Sequence, residues 1–584
     1  MTLPKIPLAQ AIIKHAELHG LRHVVISPGS RNAPLTIGFT GHDYFSCYSI
    51  VDERSAAFFA LGLAQQTQNP VILVCTSGSA LLNYFPAIAE AYYSHIPLIV
   101  LSADRPKHLI GIGDGQTIDQ KGVFGSHVLM STNLKEDIDP EQEEKDDDPM
   151  ILKAIENRLE RFIGIQKSIQ EQNNAAIQKT FRKAINYSGP VHLNVPFAEP
   201  LYETVDSFNV KIESPPVEEE TILINDELIF NLADDWNSSQ KKMVLIGTAN
   251  PGYIDQKWLD ELANDQSVIV FTETNSNVNQ PEFFPSIDKI IAPLDDEGFK
   301  ELQPEILITL GGMIVSKKIK AFLREYQPRQ HWHVGEHPAL DTYFCLNAHV
   351  DSHPNDFFER FLSYVRVNKS SYKPKWKLIK AHRARMHEKY ISGLEFTDLK
   401  VFDHILQRLP ENIVLQVGNS SAIRYTQLFK LNASFEVYCN RGTSGIDGST
   451  STAIGFAAGT EKQTVFLTGD LSFFYDSNAL WNSYIPASFR IILINNEGGG
   501  IFRILPGHKN TGNFDKYFET VHDLNAQPLC SLYGFDYAKA TDLEELKDTF
   551  DSFFQAGDKP KLLEIFTPRL KNDTALLEYF ENIK

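Results

Sequence analysis

Apolar residues in the first 200 positions occur in short runs, and helical periodicity fills the stretches between them. The runs are rich in β-branched residues and read "HVVISPGS" from His23, "PVILVCTSG" from Pro70, "PLIVLSADRP" from Pro97 and "GPVHLNVPFAEPLY" from Gly189. A helix is predicted from about Asp52 to Gln66, between the first two runs. Strands that alternate with helices in this way form βαβ units, so a parallel sheet is expected.

The same rhythm occurs twice more along the chain. The second occurrence contains "KKMVLIGTANPG", "SVIVFTETNS", "ILITLGGMIVSKK" and "HWHVGE", and the third runs from "DHILQRLPENIVLQVGNSSAIR" to "PKLLEIFTP". The pattern therefore predicts an α/β protein with three doubly wound, mostly parallel sheets, in domains spanning residues 1–200, 201–370 and 371–584. No internal sequence repeat is evident by eye. A solvated loop is predicted over the acidic residues 133–150, and a linker over 211–221.

Composition and charge narrow the range of partners. The 584 residues carry a net charge of −19, which argues against nucleic acid or an anionic membrane as a broad partner. Five widely spaced cysteines form no CxxC pair, and no apolar run reaches the length of a membrane span. A soluble cytoplasmic protein is expected, in which any anion site depends on a local cluster of cations.

Two apolar runs in the third unit end in polar residues suited to metal binding. One run ends at Gly469 and Asp470, and the next ends at Asn495 and Asn496, followed by Glu497 and three glycines. Parallel neighbouring strands place these ends at one sheet edge. The side chains of Asp470 and Asn496, with the backbone carbonyl of Gly498, would supply half of an octahedral oxygen shell for Mg²⁺ or Mn²⁺. Turn formation alone would also explain these residue types.

This spacing resembles the signature of thiamine-diphosphate enzymes, with Leu471 where many members have glycine, followed by Ser472. The blocks "SPGSRNAPL", "VDERSAAFFALGLA", "LSADRP", "VGNSSAIR", "NRGTSGIDGSTSTAIGFA" and "GDLSFFYDSNAL" resemble the 2-succinyl-5-enolpyruvyl-6-hydroxy-3-cyclohexene-1-carboxylate synthase family of menaquinone biosynthesis. The resemblance implies a pyrimidine-binding, a central and a diphosphate-binding domain, in a homodimer or tetramer with active sites at the subunit interface. The implied cofactor contacts are Ser30, Glu53, Gly418, Ser420, Gly469, Asp470, Leu471, Ser472, Asn496, Gly498, Gly499, Ile501 and Phe502.

Glu53 has two interpretations. On residue type alone, Asp52 would cap the helix and Glu53 would interact with its positive end. The resemblance implies instead that the Glu53 carboxylate bonds to a pyrimidine nitrogen of the cofactor and activates it, which requires a raised pKa or a shared proton in a buried cleft.

The implied substrates, 2-oxoglutarate and isochorismate, each carry two carboxylates, so the site needs several cations. Arginine pairs bidentately with carboxylate. The candidates in or near the resembling blocks are Arg31, Arg105, Arg424, Arg441, Lys317 and Lys318, with Ser30, Gln116 and Ser420 as neutral partners. Lys318 stands where the family pattern has arginine.

Local spacing refines three of these expectations. If "SSAIRYTQLF" is helical, Ser420 and Arg424 form an i,i+4 pair that could hold one carboxylate. Ile501 and Phe502 would line an apolar wall beside the thiazolium, although Phe502 would fit a hydrophobic core almost as well. The eighteen histidines are expected to be core or surface residues, which leaves proton transfer to the cofactor amine, water and Ser420, with Glu53, Ser420 and Arg424 as the catalytic residues.

The implied reaction is decarboxylation of 2-oxoglutarate followed by 1,4-addition of the resulting carbanion to isochorismate, with release of CO₂. Two alternatives stay open at this stage: another thiamine-dependent 2-oxo acid decarboxylase or carboligase, such as an acetohydroxyacid synthase, and a non-catalytic sensor of diphosphates. A FAD-binding central domain is not favoured, because "VLIGTANPG" lacks two glycines of the dinucleotide fingerprint.

Overall fold

The computed structural model describes residues 1–137, 152–212, 225–504 and 511–584, with the backbone alone for 152–163. Most of the predicted acidic loop and linker lies outside these residues. The chain divides into two units, of which unit 1 comprises 1–218, 450–461 and 476–485 and unit 2 the remainder. Among the described residues, none of the helices combines the length and apolar character needed to cross a membrane.

Unit 1 contains a six-stranded parallel sheet in the order β3-β2-β4-β5-β7-β6. Its strands are β2 (His23–Ile26), β3 (Ser46–Ser49), β4 (Val71–Cys75), β5 (Leu98–Asp104), β6 (Met130–Asn133) and β7 (Val191–Pro196), and a short antiparallel pair joins β1 (Leu3–Pro4) to β8 (Thr204–Val205). The helices are α1 (Pro7–Leu18), α2 (Ala33–Thr40), α3 (Glu53–Thr67), α4 (Ser79–Asn83), α5 (Phe85–Ser94) and α6 (Leu152–Tyr187). The central strands β4 and β5 are buried throughout, as expected for a parallel sheet covered on both faces.

Unit 2 contains two further parallel sheets. The first has the order β10-β9-β11-β12-β13. It comprises β9 (Lys242–Ile246), β10 (Val268–Thr272), β11 (Ile306–Leu310), β12 (Gln330–Val334) and β13 (Leu346–Val350), with α7 (Asp226–Ser238), α8 (Gln256–Asn264), α9 (Ile287–Ile291), α10 (Asp296–Leu302), α11 (Lys317–Glu325), α12 (Pro354–Tyr364) and α13 (Tyr372–Ser392). Apolar clusters cover both faces of this sheet.

The second sheet of unit 2 has the order β15-β14-β16-β17-β19-β18. Its strands are β14 (Val414–Val417), β15 (Glu436–Tyr438), β16 (Thr464–Gly469), β17 (Arg490–Asn495), β18 (Asp536–Ala540) and β19 (Lys561–Phe566). The helices from this part of the chain are α14 (Asp398–Leu406), α15 (Ser421–Thr426), α16 (Ser449–Ala458), α17 (Asp470–Tyr475), α18 (Ile501–Ile504), α19 (Gly512–Phe514), α20 (Gln527–Tyr533), α21 (Leu543–Phe553) and α22 (Asn572–Asn582). All three predicted parallel sheets are therefore present.

Candidate active site

The carboxyl ends of β16 and β17 bring two predicted metal ligands together. The strands are parallel neighbours, so Asp470 and Asn496 follow adjacent strand ends. The buried Asp470 carboxylate accepts hydrogen bonds through Oδ2 from the backbone amides of Asn496 (3.1 Å) and Gly498 (3.0 Å). Its Oδ1 accepts from the Leu471 amide at 2.6 Å. The turn is thus built around the Asp470 side chain.

The glycines of this turn serve close packing as well as access. Gly498 has a φ of +145°, and a Cβ there would lie 2.6 Å from the carbonyl oxygen of Glu519, so only glycine fits. The Gly499 amide donates to the same oxygen at 2.6 Å and is therefore engaged within the chain. Gly418 packs against β16, because a Cβ would lie 2.6 Å from Thr468 Oγ1.

Other predicted cofactor contacts surround the turn. A Cβ on Gly469 would meet nothing within 4 Å, so this position is open. The Ser472 hydroxyl donates to the Ile446 carbonyl at 2.7 Å. Ile501 is half-buried, and Phe502 is 37% exposed with its ring edge-on to Phe518. The core alternative for Phe502 is therefore wrong.

Ser420 and Arg424 do not form the predicted pair within one helix. The helix α15 begins at Ser421, and Ser420 precedes it with a φ of +67° and ψ of −121°. The cause lies in the tight turn after β14, where the Asn419 side-chain amide donates to the carbonyls of Asn440 and Gly445, both at 2.7 Å.

Arg424 and Arg441 lie in one cationic region of unit 2. Burial first, and then the charge of Arg441, lower the pKa of Arg424. Within the described ranges, Arg424 makes no hydrogen bond or ion pair. Arg441 donates to the neutral Asn419 Oδ1 at 2.8 Å, and its buried Nε has no hydrogen-bond partner in the part of the chain that is described. Both guanidinium groups therefore lack a hydrogen-bonded carboxylate.

Lys317 and Lys318 start α11, whose first turn is held by the carboxylates of the buried Glu273 and the half-buried Asp288. Glu273 accepts from the amides of Val315 and, at 2.7 Å, Ser316. The Ser316 hydroxyl donates to Asp288 and accepts from the Ile319 amide, capping the helix. Burial raises the pKa of Glu273 to about 7 and also raises the pKa of Asp288.

The two lysines are exposed, and the Lys318 ammonium lies 5.0 Å from the centroid of the Phe580 ring. Its charge and that of Arg424 act on Asp288. Lys320, which sequence reasoning did not select, shares this region, because burial and then Arg441 lower its pKa. Its signal was present in "SKKIK", one helical turn after Lys317.

The arginines predicted in unit 1 are paired. Arg105 donates from Nε to Asp114 Oδ2 at 2.7 Å, and from Nη1 to Ser77 Oγ at 2.7 Å and to the carbonyl of Gln116 at 2.9 Å. Arg31 donates to the Phe197 carbonyl at 3.1 Å and lies 3.2 Å from a Glu199 oxygen. Arg105 and Gln116 are therefore brought together, but through the Gln116 backbone.

Ser30 and Glu53 are the remaining predicted residues of unit 1. Ser30 is exposed in the loop after β2. Asp52 caps α3, accepting from the amides of Arg54 and Ser55, and its other oxygen accepts from Asn478 Nδ2 at 2.7 Å. The partly exposed Glu53 makes no hydrogen bond or ion pair to a described residue. It lines a depression of about 550 Å³, together with Val51, Asp52, Arg54, Asn83, Asn478 and Trp481.

The chain is similar in sequence to known thiamine pyrophosphate enzymes along most of its length. Three family models match: "Thiamine pyrophosphate enzyme, N-terminal TPP binding domain" over residues 6–123, "Middle domain of thiamine pyrophosphate" over 220–417, and "Thiamine pyrophosphate enzyme, C-terminal TPP binding domain" over 416–565. A 2-succinyl-5-enolpyruvyl-6-hydroxy-3-cyclohexene-1-carboxylate synthase of Christiangramia forsetii is 52% identical over 100% of both chains. The chain belongs to this synthase family of thiamine pyrophosphate enzymes.

Other relatives extend the synthase match. The synthase of Flavobacterium psychrophilum is also 52% identical over 100% of both chains, and that of Phocaeicola vulgatus is 38% identical over 97% of this chain and 96% of its own. Benzoylformate decarboxylase from Polynucleobacter necessarius covers 97% of this chain and 100% of its own with a TM-score of 0.69. At 15% identity it supports the three-sheet fold alone.

In this synthase-family chain, the oxygen donors at the strand ends suit a hard divalent cation. Asn496 Nδ2 donates to Asp398 Oδ2 at 2.9 Å, which leaves Oδ1 as its remaining side-chain acceptor. The Gly498 carbonyl accepts from the Gly500 amide and keeps a second lone pair. No group of three His, Cys, Asp or Glu side chains suited to a metal occurs in the described residues, so amide and carbonyl oxygens would have to contribute.

Two residues beside the turn were missed by sequence reasoning. His522 Nε2 lies 3.4 Å from Asp470 Oδ2, and this carboxylate raises the pKa of His522. The histidines were expected to be core or surface residues, and His522 is a half-buried one that contacts a predicted metal ligand. The buried Asp398 is the second, and burial raises its pKa to about 6. Neither residue belongs to a motif, because each reaches the turn only through tertiary packing.

Proposed function

We propose that this enzyme catalyses the thiamine-diphosphate- and Mg²⁺-dependent decarboxylation of 2-oxoglutarate and the 1,4-addition of the resulting carbanion to isochorismate. The product is 2-succinyl-5-enolpyruvyl-6-hydroxy-3-cyclohexene-1-carboxylate, from which pyruvate has not yet been released, plus CO₂, in the menaquinone pathway. The observation that carries this proposal is that Arg424 and Arg441 have no hydrogen-bonded carboxylate partner. Cations left free in a chain of net charge −19 suit substrates that bring carboxylates.

The metal would be held by Asp470, the side-chain oxygen of Asn496 and the carbonyl of Gly498. These three donors suit Mg²⁺, and Mn²⁺ accepts the same oxygen ligands. When bound, thiamine diphosphate supplies the nucleophilic carbon and the electron sink that decarboxylation requires. The open position at Gly469 and the neighbouring Leu471, Ser472, Gly418, Gly499 and Ile501 would border the diphosphate, with Phe502 as an apolar wall.

Glu53 is proposed to share a proton with a ring nitrogen of the cofactor's pyrimidine. Its carboxylate is suited to this role because Asp52 already caps α3, which leaves Glu53 unbonded in the described chain. Ser420, held outside α15 by its positive φ, would hold or donate a proton near the reacting atoms.

The carboxylates of the two substrates would be bound by arginine and lysine side chains, with neutral hydrogen-bond partners beside them. The proposed cations are Arg424, Arg441, Lys317, Lys318, Arg31 and Arg105, and the proposed neutral partners are Ser30 and Gln116. Arg424 is the strongest candidate for a direct contact. Burial and repulsion from Arg441 both destabilise its positive charge, and a bound carboxylate would stabilise that charge.

The proposed domains are a pyrimidine-binding domain over residues 1–200, a central domain over 201–370 and a diphosphate-binding domain over 371–584. We place the active site at the interface of a homodimer or tetramer, since Glu53 faces an open depression. All five cysteines are free thiols, which suits the reducing cytoplasm.

The decisive experiment mixes the purified protein with 2-oxoglutarate, isochorismate, thiamine diphosphate and Mg²⁺ and follows the loss of isochorismate. We expect consumption that requires all four components. Replacing 2-oxoglutarate with pyruvate tests the alternative of a carboligase for smaller 2-oxo acids. Cofactor binding without any turnover would favour the diphosphate sensor and overturn the proposal.

A further inference from the structure

Asp398, the first residue of α14, is fixed on several sides next to the Asn496 side chain. Its side chain is buried, with Oδ2 accepting from Asn496 Nδ2 at 2.9 Å and Oδ1 accepting from Thr567 Oγ1 at 2.5 Å. The backbone amide of Asp398 donates to Asn572 Oδ1 at 2.8 Å, and Asn572 Nδ2 donates back to Thr567 Oγ1 at 3.4 Å. The carboxylate therefore has little freedom to move.

A primary amide has a donor end and an acceptor end, and only the acceptor end binds a cation. An ionised carboxylate accepts hydrogen bonds but donates none, so Asp398 selects the orientation in which the Asn496 NH₂ group faces it. The Asn496 oxygen is then turned away from Asp398, and it forms no hydrogen bond with any described residue. The reversed amide would bring two oxygens together at a buried contact.

We infer that Asp398 is a positioning residue, which fixes the Asn496 amide so that its oxygen, and not its NH₂ group, is offered to the divalent cation. This inference rests on the proposed metal site. Asp398 itself touches neither substrate nor cofactor in the proposal. Its role is that of the hydrogen-bonded partners that commonly orient metal ligands and tune their affinity.

The first test is Asp398→Asn, which preserves shape but supplies a donor that can bond to the Asn496 oxygen. We expect Mg²⁺ affinity, measured by calorimetric titration in the presence of thiamine diphosphate, to weaken about 10- to 100-fold. Thr567→Val is the matched control, because it removes the other side-chain partner of Asp398 and leaves the bond to Asn496 intact. Its Mg²⁺ affinity should stay within about fivefold of the wild type, the change that corresponds to about 1 kcal/mol, the net worth of one such hydrogen bond.

The second test exchanges the two side chains by combining Asp398→Asn with Asn496→Asp. The new amide donates to the new carboxylate, whose second oxygen is again free for the cation, so Mg²⁺ affinity should return to within about tenfold of the wild type. A purely structural role for Asp398 predicts no such rescue. Thermal melting of each metal-free variant checks folding, and if Asp398→Asn alone does not fold, the exchange variant decides.

The results of these tests distinguish the positioning role of Asp398 from the proposed metal site on which it depends. Unchanged Mg²⁺ affinity in Asp398→Asn, or an exchange variant no better than the single one, overturns the inference and leaves the proposed function in place. A wild-type protein that binds thiamine diphosphate without any Mg²⁺ affinity overturns the metal site, and the inference with it.

Discussion

The two units hold their charged groups in opposite ways. In unit 1 the acid Glu53 is unbonded within the described residues, while the bases Arg31 and Arg105 are each paired with a carboxylate. These partners are exposed: the side chains of Glu199 and Asp114 are 66% and 42% accessible. Arg31 and Arg105 are therefore held by solvent-exposed carboxylates, which another anion could displace.

In unit 2 the arrangement is reversed. The acid Asp470 is surrounded by three backbone amides, and Arg424 lacks a hydrogen bond or ion pair within the described chain. The buried Glu273 and the half-buried Asp288 accept hydrogen bonds from the backbone amides and the Ser316 hydroxyl that begin α11. These acids of unit 2 thus hold backbone turns in place, and Arg424 and Arg441 have no hydrogen-bonded carboxylate.

This difference predicts that the arginines of the two units contribute differently to substrate binding. A partly exposed ion pair contributes only about 0 to 1 kcal/mol, so a substrate carboxylate can displace Asp114 or Glu199 at small cost. A buried carboxylate cannot be displaced in this way, because moving it would leave its backbone donors unpaired. We therefore expect Arg424 and Arg441 to dominate substrate affinity, and Arg31 and Arg105 to adjust it.

The largest effect is expected from Glu53→Gln, which tests whether the free acid of unit 1 is catalytic. Loss of its proton-sharing role should cut turnover at least ~100-fold, the usual scale of acid-base catalysis. Diphosphate affinity should stay within about tenfold, because the substitution preserves the size of the side chain and Glu53 is not among the proposed metal ligands. Steady-state kinetics and cofactor titration measure both quantities. Glu171→Gln, at an exposed position of α6, is the matched control, and normal turnover in Glu53→Gln would remove Glu53 from the mechanism.

The next effect tests the unsatisfied bases of unit 2. Arg424→Ala should lower kcat/KM about 10- to 100-fold for a carboxylate-bearing substrate, because one charge-assisted contact is lost. Arg424→Lys keeps the positive charge but not the planar guanidinium group. Its kcat/KM should therefore lie between those of the wild type and Arg424→Ala. Arg408→Ala, at an exposed position just after α14, controls for the loss of a positive charge. Unchanged kinetics for both substrates would contradict the assignment.

The sequence predicted the parts of the fold and site that follow from strand order. Parallel neighbours must end at one edge, so Asp470 and Asn496 came together as expected, 26 positions apart. The start of α15 was missed because the Asn419 side chain, bonded to distant carbonyls, shapes the turn before it. Helical periodicity contains no information about such a contact.

The remaining misses share a cause. Asp398 reaches Asn496 across 98 positions, and Glu519 closes over Gly498 through a backbone carbonyl that any residue type would offer. Nothing in "SVIVFTETNS" distinguishes Glu273, whose carboxylate accepts from the backbone amides that begin α11. Contacts of this kind depend on tertiary packing, and neither residue type nor spacing predicts them.

The third prediction concerns the buried Glu273 of unit 2 and the pH dependence of the protein's stability. The pKa of Glu273 is raised by burial from 4.5 to about 7, so the folded state retains a proton that the unfolded state loses. Stability attributable to Glu273 therefore falls as pH rises from about 4.5 to 7 and is constant above that range. Glu273→Gln does not titrate, so its melting temperature relative to the wild type should rise by about 2 to 4 °C between pH 5 and pH 8. Glu297→Gln, exposed in α10, should show no trend, and a flat difference for Glu273→Gln would contradict the burial argument.

The smallest effect concerns the displaceable acids of unit 1. If Asp114 only occupies Arg105 until a substrate carboxylate arrives, Asp114→Asn removes a competitor, and KM for that substrate should fall about two- to fivefold, within the worth of a partly exposed ion pair. The bonds from Arg105 to Ser77 Oγ and the Gln116 carbonyl stay and keep the guanidinium oriented. Asp119→Asn, exposed in the same loop, should leave KM unchanged. A rise in KM for Asp114→Asn would mean that the carboxylate orients Arg105 instead of competing with the substrate for it. The acids of the two units would then differ in solvent exposure but not in whether a substrate displaces them.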